Sequence, residues 1–177
     1  GVKLNESTNF TILMPDLRGH GEGSGGRICT FGGCGTEDAT AAVEFLKSLR
    51  TPTQIALVGK QIGVYGVELG AMHALNAAEA DPNIAALVLD SVPADSDALL
   101  AQVISHRYPF MSAISSRLAQ LGTYIYFYDG CYRRVPATET VAKLSGRKVL
   151  LLGGLDAPAN QDSTGKLAKH FPAGTKA

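Results

Sequence analysis

Gly66-Val67-Glu68-Leu69-Gly70 lies between the short apolar run Ile62-Gly63-Val64-Tyr65 and the alanine-rich residues 69–80. The run reads as a buried strand and the alanine-rich stretch as a helix, so the pentapeptide must turn the chain sharply from one into the other. Two glycines at this spacing allow the close backbone approach that such a turn requires. The central side chain is then lifted clear of strand and helix alike. The pattern is G-x-S-x-G with Glu68 where the serine would stand, and that one residue governs how far chemistry can be read.

Outward from the turn, strands and helices alternate. Phe10-Thr11-Ile12-Leu13-Met14, ended by Pro15, predicts a buried strand. Residues 16–35 are glycine-rich and polar and predict a loop. Thr36 is the expected N-cap of a helix, with Glu37 and Asp38 in its first turn. Ala42, Phe45, Leu46 and Leu49 follow at helical spacing and stop before Pro52. Downstream, Asp81-Pro82-Asn83 turns the chain into a strand over residues 85–89.

Residues 99–104 and 114–121 have helical spacing, and residues 124–128 (Tyr-Ile-Tyr-Phe-Tyr) form an aromatic patch. The patch reads as core or as a lid contact, with a substrate-facing wall as the other reading. A short helix near residues 138–144, a strand over residues 149–152 and a final helix around residues 163–170 complete the pattern. Strands made of continuous apolar runs between helices predict an α/β fold: a mostly parallel sheet with helices on both faces. Neither an internal repeat nor a low-complexity linker interrupts residues 1–177, so a single domain is expected, with a lid-like segment at about 95–135.

Composition narrows the function classes. Sixteen basic residues balance sixteen acidic ones, so no net field draws nucleic acid or an anionic membrane to the chain. No apolar run has the ~18–20 residues of a membrane span. The first residue is Gly and no basic-then-apolar leader follows, as in a processed or excised piece, so compartment stays open. Cys29, Cys34 and Cys131 have no metal spacing; they read as free thiols, with a Cys29–Cys34 disulfide as the alternative. Gly23-Ser24-Gly25-Gly26 lacks the lysine of a phosphate-binding loop and reads as a flexible loop. No cofactor and no metal are expected.

Four segments in register resemble the α/β-hydrolase family, in particular its serine-aminopeptidase-like and acyl-hydrolase branch. Residues 13–21 (LMPDLRGHG) are similar to the exit of that family's fourth strand, and residues 63–71 (GVYGVELGA) to its nucleophile elbow. Residues 87–91 (LVLDS) resemble the next strand and its end, and residues 149–156 (VLLLGGLD) the strand before the loop that bears the acid. The resemblance spans roughly residues 9–170 and implies a three-layer α/β-hydrolase-type sandwich. It corresponds to the middle of such a domain: too few residues precede the first matched strand to hold the His-Gly segment that supplies an oxyanion amide. No histidine occupies the family's position beyond a last strand, and His170, at the end of the final helix, does not match it.

The resemblance implies a soluble ester, amide or thioester hydrolase lineage acting on a small-molecule acyl substrate, with Glu68 at the nucleophile position, Asp156 at the acid position and the Leu69 backbone amide as oxyanion donor. A serine would need a histidine base oriented by a carboxylate. A carboxylate can attack unaided, as aspartate does in the dehalogenases and epoxide hydrolases of this fold. Glu68 therefore has three readings: a lost or altered catalytic role, a true carboxylate nucleophile, or a non-native substitution. Asp156 reads otherwise as a loop residue capping a turn before Pro158. Asp90 is a second carboxylate at a strand end, either a turn residue or the alternative acid. His20 reads as ordering its loop, His73 as a satisfied core or interface histidine, and His106 as exposed. The competing expectation is a non-catalytic ligand-binding or interaction domain on the same scaffold. Oligomeric state is not legible.

Overall fold

The structure is a computed structural model that describes residues 2–8, 10–21, 31–110, 113–128, 131, 132, 134–155, 158–173 and 175. The chain opens with helix α1 (Val2–Thr8), and α2 (Gly35–Ser48) follows the loop over residues 10–21 and the residues after it. Strand β1 (Ile62–Val67) then leads into α3 (Leu69–Ala80), β2 (Ile84–Asp90), α4 (Ser96–Arg107), α5 (Ala113–Tyr126), α6 (Ala137–Val141), β3 (Lys148–Leu152) and α7 (Pro158–Leu167). The three strands form one parallel sheet in the order β1-β2-β3, with Val64 beside Leu87 and Leu87 beside Val149. Each parallel crossover carries helix, the connection such pairing requires.

Helix α3 is the spine of the core. Residues 71–78 are all buried, because the helix lies between the sheet on one side and α2 and α6 on the other. Small side chains at Ala71, Ala74, Ala77 and Ala78 permit that enclosure, and Leu75 fills the space against Ile84, Leu87 and Leu89. Val141, Leu144 and Leu167 bring α6, the turn after it and α7 into the same cluster. Helices α2, α3, α6 and α7 thus share one face of the sheet. The opposite face carries Tyr65, Val67, Leu150 and Leu152, all exposed, so the described residues do not supply cover on that side.

Several expectations need correction. Residues 10–14 form no strand; Phe10 and Met14 are exposed, and no ladder partner lies beside them among the described residues. An apolar run becomes a strand only by pairing its backbone, and among the described residues β1 pairs on its β2 side alone. Helix α2 begins at Gly35 with Cys34 as the capping residue, so Thr36 lies within the first turn, where its hydroxyl donates to the Gly32 carbonyl (3.3 Å). The buried member of α2's stripe is Val43, while Phe45 points out. The aromatic patch at residues 124–128 is not core: Tyr124, Ile125, Tyr126 and Tyr128 are all exposed, and only Phe127 is half-buried.

The cysteine reading also changes. Cys34 and Cys131, 97 residues apart, form a disulfide with their Cα atoms 4.6 Å apart. It fastens the start of α2 to the segment after α5, beside the Gly33 amide that donates to the Cys131 carbonyl (3.0 Å). Phe31 and Tyr132 meet edge to face next to it, with ring centroids 6.3 Å apart. Cys29 lies outside the described residues.

Candidate functional site

The carboxyl ends of the three strands lie along one edge of the sheet, where ligands of open α/β sheets bind. At the end of β1, Glu68 adopts φ 48° and ψ −112°, a conformation that L side chains rarely hold. Its amide donates to the Asp90 carbonyl (2.8 Å), and its own carbonyl accepts from the Ala71 (3.0 Å) and Met72 (3.1 Å) amides. Strand, turn and helix are locked together by these three bonds. Gly66 is obligatory: a Cβ there would stand 2.3 Å from the Gly70 carbonyl oxygen. Gly70 is not, since a Cβ on it meets nothing within 4 Å. One glycine of the pair makes the turn possible, and the other is permissive.

Holding a glutamate at φ 48° costs on the order of 1–3 kcal/mol. Glu68→Gly should therefore raise stability by about 1 kcal/mol, net of the entropy a glycine adds to the unfolded chain. The urea midpoint should move up, and a lower midpoint would mean that the turn is not strained.

Glu68 is exposed at an open cleft of about 370 Å³ lined by residues 15–17 and His20 on one side and residues 67–70 on the other. The Leu69 amide opens α3 and so has no acceptor within its own helix. The cleft's other wall is the loop over residues 15–21, which Arg18 anchors. Its guanidinium grips Asp38 of α2 through Nε (2.9 Å) and Nη2 (2.6 Å), its amide donates to the same carboxylate (2.9 Å), and Nη2 also reaches Glu37 (3.3 Å). These contacts raise the Arg18 pKa, chiefly through the Asp38 hydrogen bond. Asp38 is partly desolvated, which favours its neutral form, but the Arg18 hydrogen bonds outweigh this and hold its pKa below the usual carboxylate value. Glu37 and Asp38, favourable to the helix dipole by position alone, take this second role only because the fold brings Arg18 against α2.

His20 orders its loop as expected, its Nδ1–H donating to the Arg18 carbonyl (3.3 Å), and it also faces the cleft together with Glu68. His73 departs from expectation. It is buried at 3% exposure, yet its Nδ1 has no hydrogen-bond partner among the described residues. Its ring sits over Gly35, where a Cβ would come within 2.3 Å of Cε1 and Nε2. Desolvation drives its pKa down to about 4; Asp38 opposes the shift, while Arg18 and His20 add to it. His106 is exposed as expected, and His170 follows α7, its Nδ1–H donating to the Lys166 carbonyl (2.9 Å).

Asp90 ends β2 directly beside Val67 and accepts from the Ser91 hydroxyl (2.8 Å). Ser91, itself at φ 55°, has an amide that donates to the Leu152 carbonyl (2.8 Å) and a hydroxyl that accepts from the Gly154 amide (3.2 Å). The loop after β3 is thereby tied to the end of β2. Asp156, two residues beyond Gly154, lies outside the described residues. Among the described residues no group of three or more His, Cys, Asp or Glu side chains is placed to hold a metal ion.

The parallel sheet, its crossover helices and the strained turn at a strand's carboxyl end define an α/β-hydrolase-type fold. No protein-family model matches the chain, and no curated protein is similar to it. In structure it is similar to the Pyrococcus furiosus esterase Pf2001 in two crystal forms. The first superposes with a TM-score of 0.53 at 21% identity, covering 88% of this chain and 55% of the esterase. The second gives 0.55 at 21% identity, covering 92% and 60%. The chain thus spans little more than half the esterase's length, and at this identity the likeness speaks for the fold alone.

Proposed function

We propose that this chain is an acyl-hydrolase scaffold, of ester, amide or thioester hydrolase lineage, in which ordinary nucleophilic hydrolysis is altered or lost. The observation that carries the reading is Glu68 itself, held at φ 48° at the mouth of the cleft where a nucleophile would be presented. In this reading the Leu69 amide is the oxyanion donor, Asp156 holds the acid position, and a small acyl compound occupies the cleft. A glutamate is one methylene longer than the aspartate that attacks in carboxylate-nucleophile hydrolases, which displaces the attacking oxygen by about 1 Å. Misplacement on that scale costs about 10²-fold in rate. The cleft's persistence around such a group favours, as a second reading, a ligand-binding domain that keeps the pocket without the chemistry.

p-Nitrophenyl acetate and butyrate test this. The chain should hydrolyse neither above the buffer rate. Turnover that Glu68→Gln abolishes, with ¹⁸O from labelled water entering Glu68 under single turnover, would instead make Glu68 the nucleophile. Glu68→Ser separates the two readings: an esterase rate and fluorophosphonate labelling mean that only the nucleophile was changed, and silence in both supports the ligand-binding domain.

A further inference from the structure

We propose that the Cys34–Cys131 disulfide is a redox latch on the cleft: a dithiol that reduces it frees one wall of the cleft while the core stays folded, and reoxidation sets the wall again. The bond joins two pieces that their own packing holds poorly. On one side, Cys34 caps α2, and its side chain makes no capping hydrogen bond. On the other side, α5 turns its large apolar residues outward, with Ile114 72%, Leu118 65% and Ile125 62% exposed, and buries none of its residues. Its half-buried side faces α4, where Gln120 donates to the Asp97 carbonyl (3.3 Å). A helix without a buried residue opens at little cost. Tyr132, next to Cys131, belongs to the same piece, since its hydroxyl donates to the Asp97 carboxylate (2.5 Å). Beside the disulfide, the joint is crossed by the Gly33 amide on the Cys131 carbonyl (3.0 Å), the Gly32–Tyr132 bridge and the Ser96 hydroxyl on the Phe31 carbonyl. Helix α3 adds long contacts from Asn76 Nδ2 to the Gly32 carbonyl and the Thr36 hydroxyl (3.4 Å each). Each is a single hydrogen bond, of modest net strength once the two pieces are free to separate.

From the latch to the cleft the path is short. Asp38 lies one turn past Cys34 on α2, and it holds Arg18, whose loop carries Leu17 and His20 on the cleft's wall. A first turn of α2 that frays on reduction carries Asp38 away from Arg18 and releases that wall. Leu75, Leu87 and Leu89 keep α3 and β2 in the core without drawing on the joint. The latch is independent of what fills the cleft and of whether Glu68 reacts. Its chemistry is thiol–disulfide exchange. Cys34 is half-buried and Cys131 buried, so a thiolate of the dithiol attacks the Cys34 sulfur. The S–S bond breaks with its electron pair on the Cys131 sulfur, which takes up a proton. The second thiolate of the reductant then displaces Cys34 from the mixed disulfide, and Cys34 is protonated in turn. The reductant leaves as a disulfide, and the chain gains two electrons and two protons. The α2 N-terminus favours Cys34 as the leaving thiolate. Glu37 opposes it from an exposed position, while Asp38 is already paired with Arg18.

Hydrogen–deuterium exchange of the full chain, read by mass spectrometry after a short pulse without denaturant, tests the latch. Dithiothreitol should reduce the bond in the folded chain and speed exchange about tenfold over residues 16–21 and 35–39, while residues 71–78 and 84–90 stay protected. Oxidised glutathione should restore the first pattern. Cys131→Ser should show the reduced pattern with or without dithiothreitol. Asp38→Asn should speed exchange over residues 16–21 in the oxidised chain, and reduction should then add little there. An undiminished increment from reduction in Asp38→Asn would overturn the route through Asp38. A bond that dithiothreitol reaches only in urea, or exchange over residues 16–21 that rises only together with residues 71–78, would make the disulfide a fixed staple and overturn the latch.

Discussion

Reduction of the Cys34–Cys131 disulfide should cost this protein about 4–5 kcal/mol. The bond closes a loop whose ends are 97 residues apart, and in the chain-entropy account a loop of that length removes the most freedom from the unfolded state. The loop contains α2, β1, α3, β2, α4 and α5, so more than half of the unfolded chain is constrained by one bond. At this chain length the thermal midpoint should fall by about 10–15 °C on adding reductant, and Cys131→Ser should match the reduced protein. Thiol titration of the denatured, unreduced chain should find 3 − 2 = 1 reactive cysteine. Three reactive thiols, or a midpoint indifferent to reductant, would remove the bond from the structure.

That bond also shows where the sequence stops being legible. The turn at Glu68, helix α3, and strands β1, β2 and β3 could all be read, because each is a local pattern: a run of apolar residues, a glycine at a close approach, an alanine-rich helix. Pairing Cys34 with Cys131 needs the tertiary arrangement that brings α2 against the segment after α5, and no local pattern carries it. Residues 10–14 failed for the converse reason. Their apolar run satisfies the local rule for a strand, but a strand also needs a neighbour, and the described residues offer none. The inverted α5 has strong helical spacing, yet spacing cannot say which face turns inward. At the site, Glu68 and Leu69 were legible from the pentapeptide alone. The Arg18–Asp38 clamp was not, since it joins a loop to a helix 20 residues on.

The orphaned His73 nitrogen makes acid the second large lever on stability. His73 in the fold is neutral and loses its proton near pH 4, whereas in the unfolded chain it does so near its ordinary value of 6.5. Between those limits the unfolded state binds the extra proton, so stability rises with pH there and is complete above about 6.5. The difference is about 2.5 pH units at 1.36 kcal/mol each, or about 3 kcal/mol. Asp38 and Asp81 are also held below their ordinary value of 3.8, so what they contribute is lost only below that window. Protonated His73 would be a buried cation facing Arg18, with Asp38 its nearest counter-charge and already engaged by that arginine. Urea denaturation from pH 4 to 7 should show the rise, and His73→Leu should flatten it whatever that change does to stability at neutral pH. A slope that survives His73→Leu would assign the acid sensitivity elsewhere. The imidazole lies over Gly35, one turn of α2 before Asp38, so the loop that carries His20 to the cleft should be the first part to loosen.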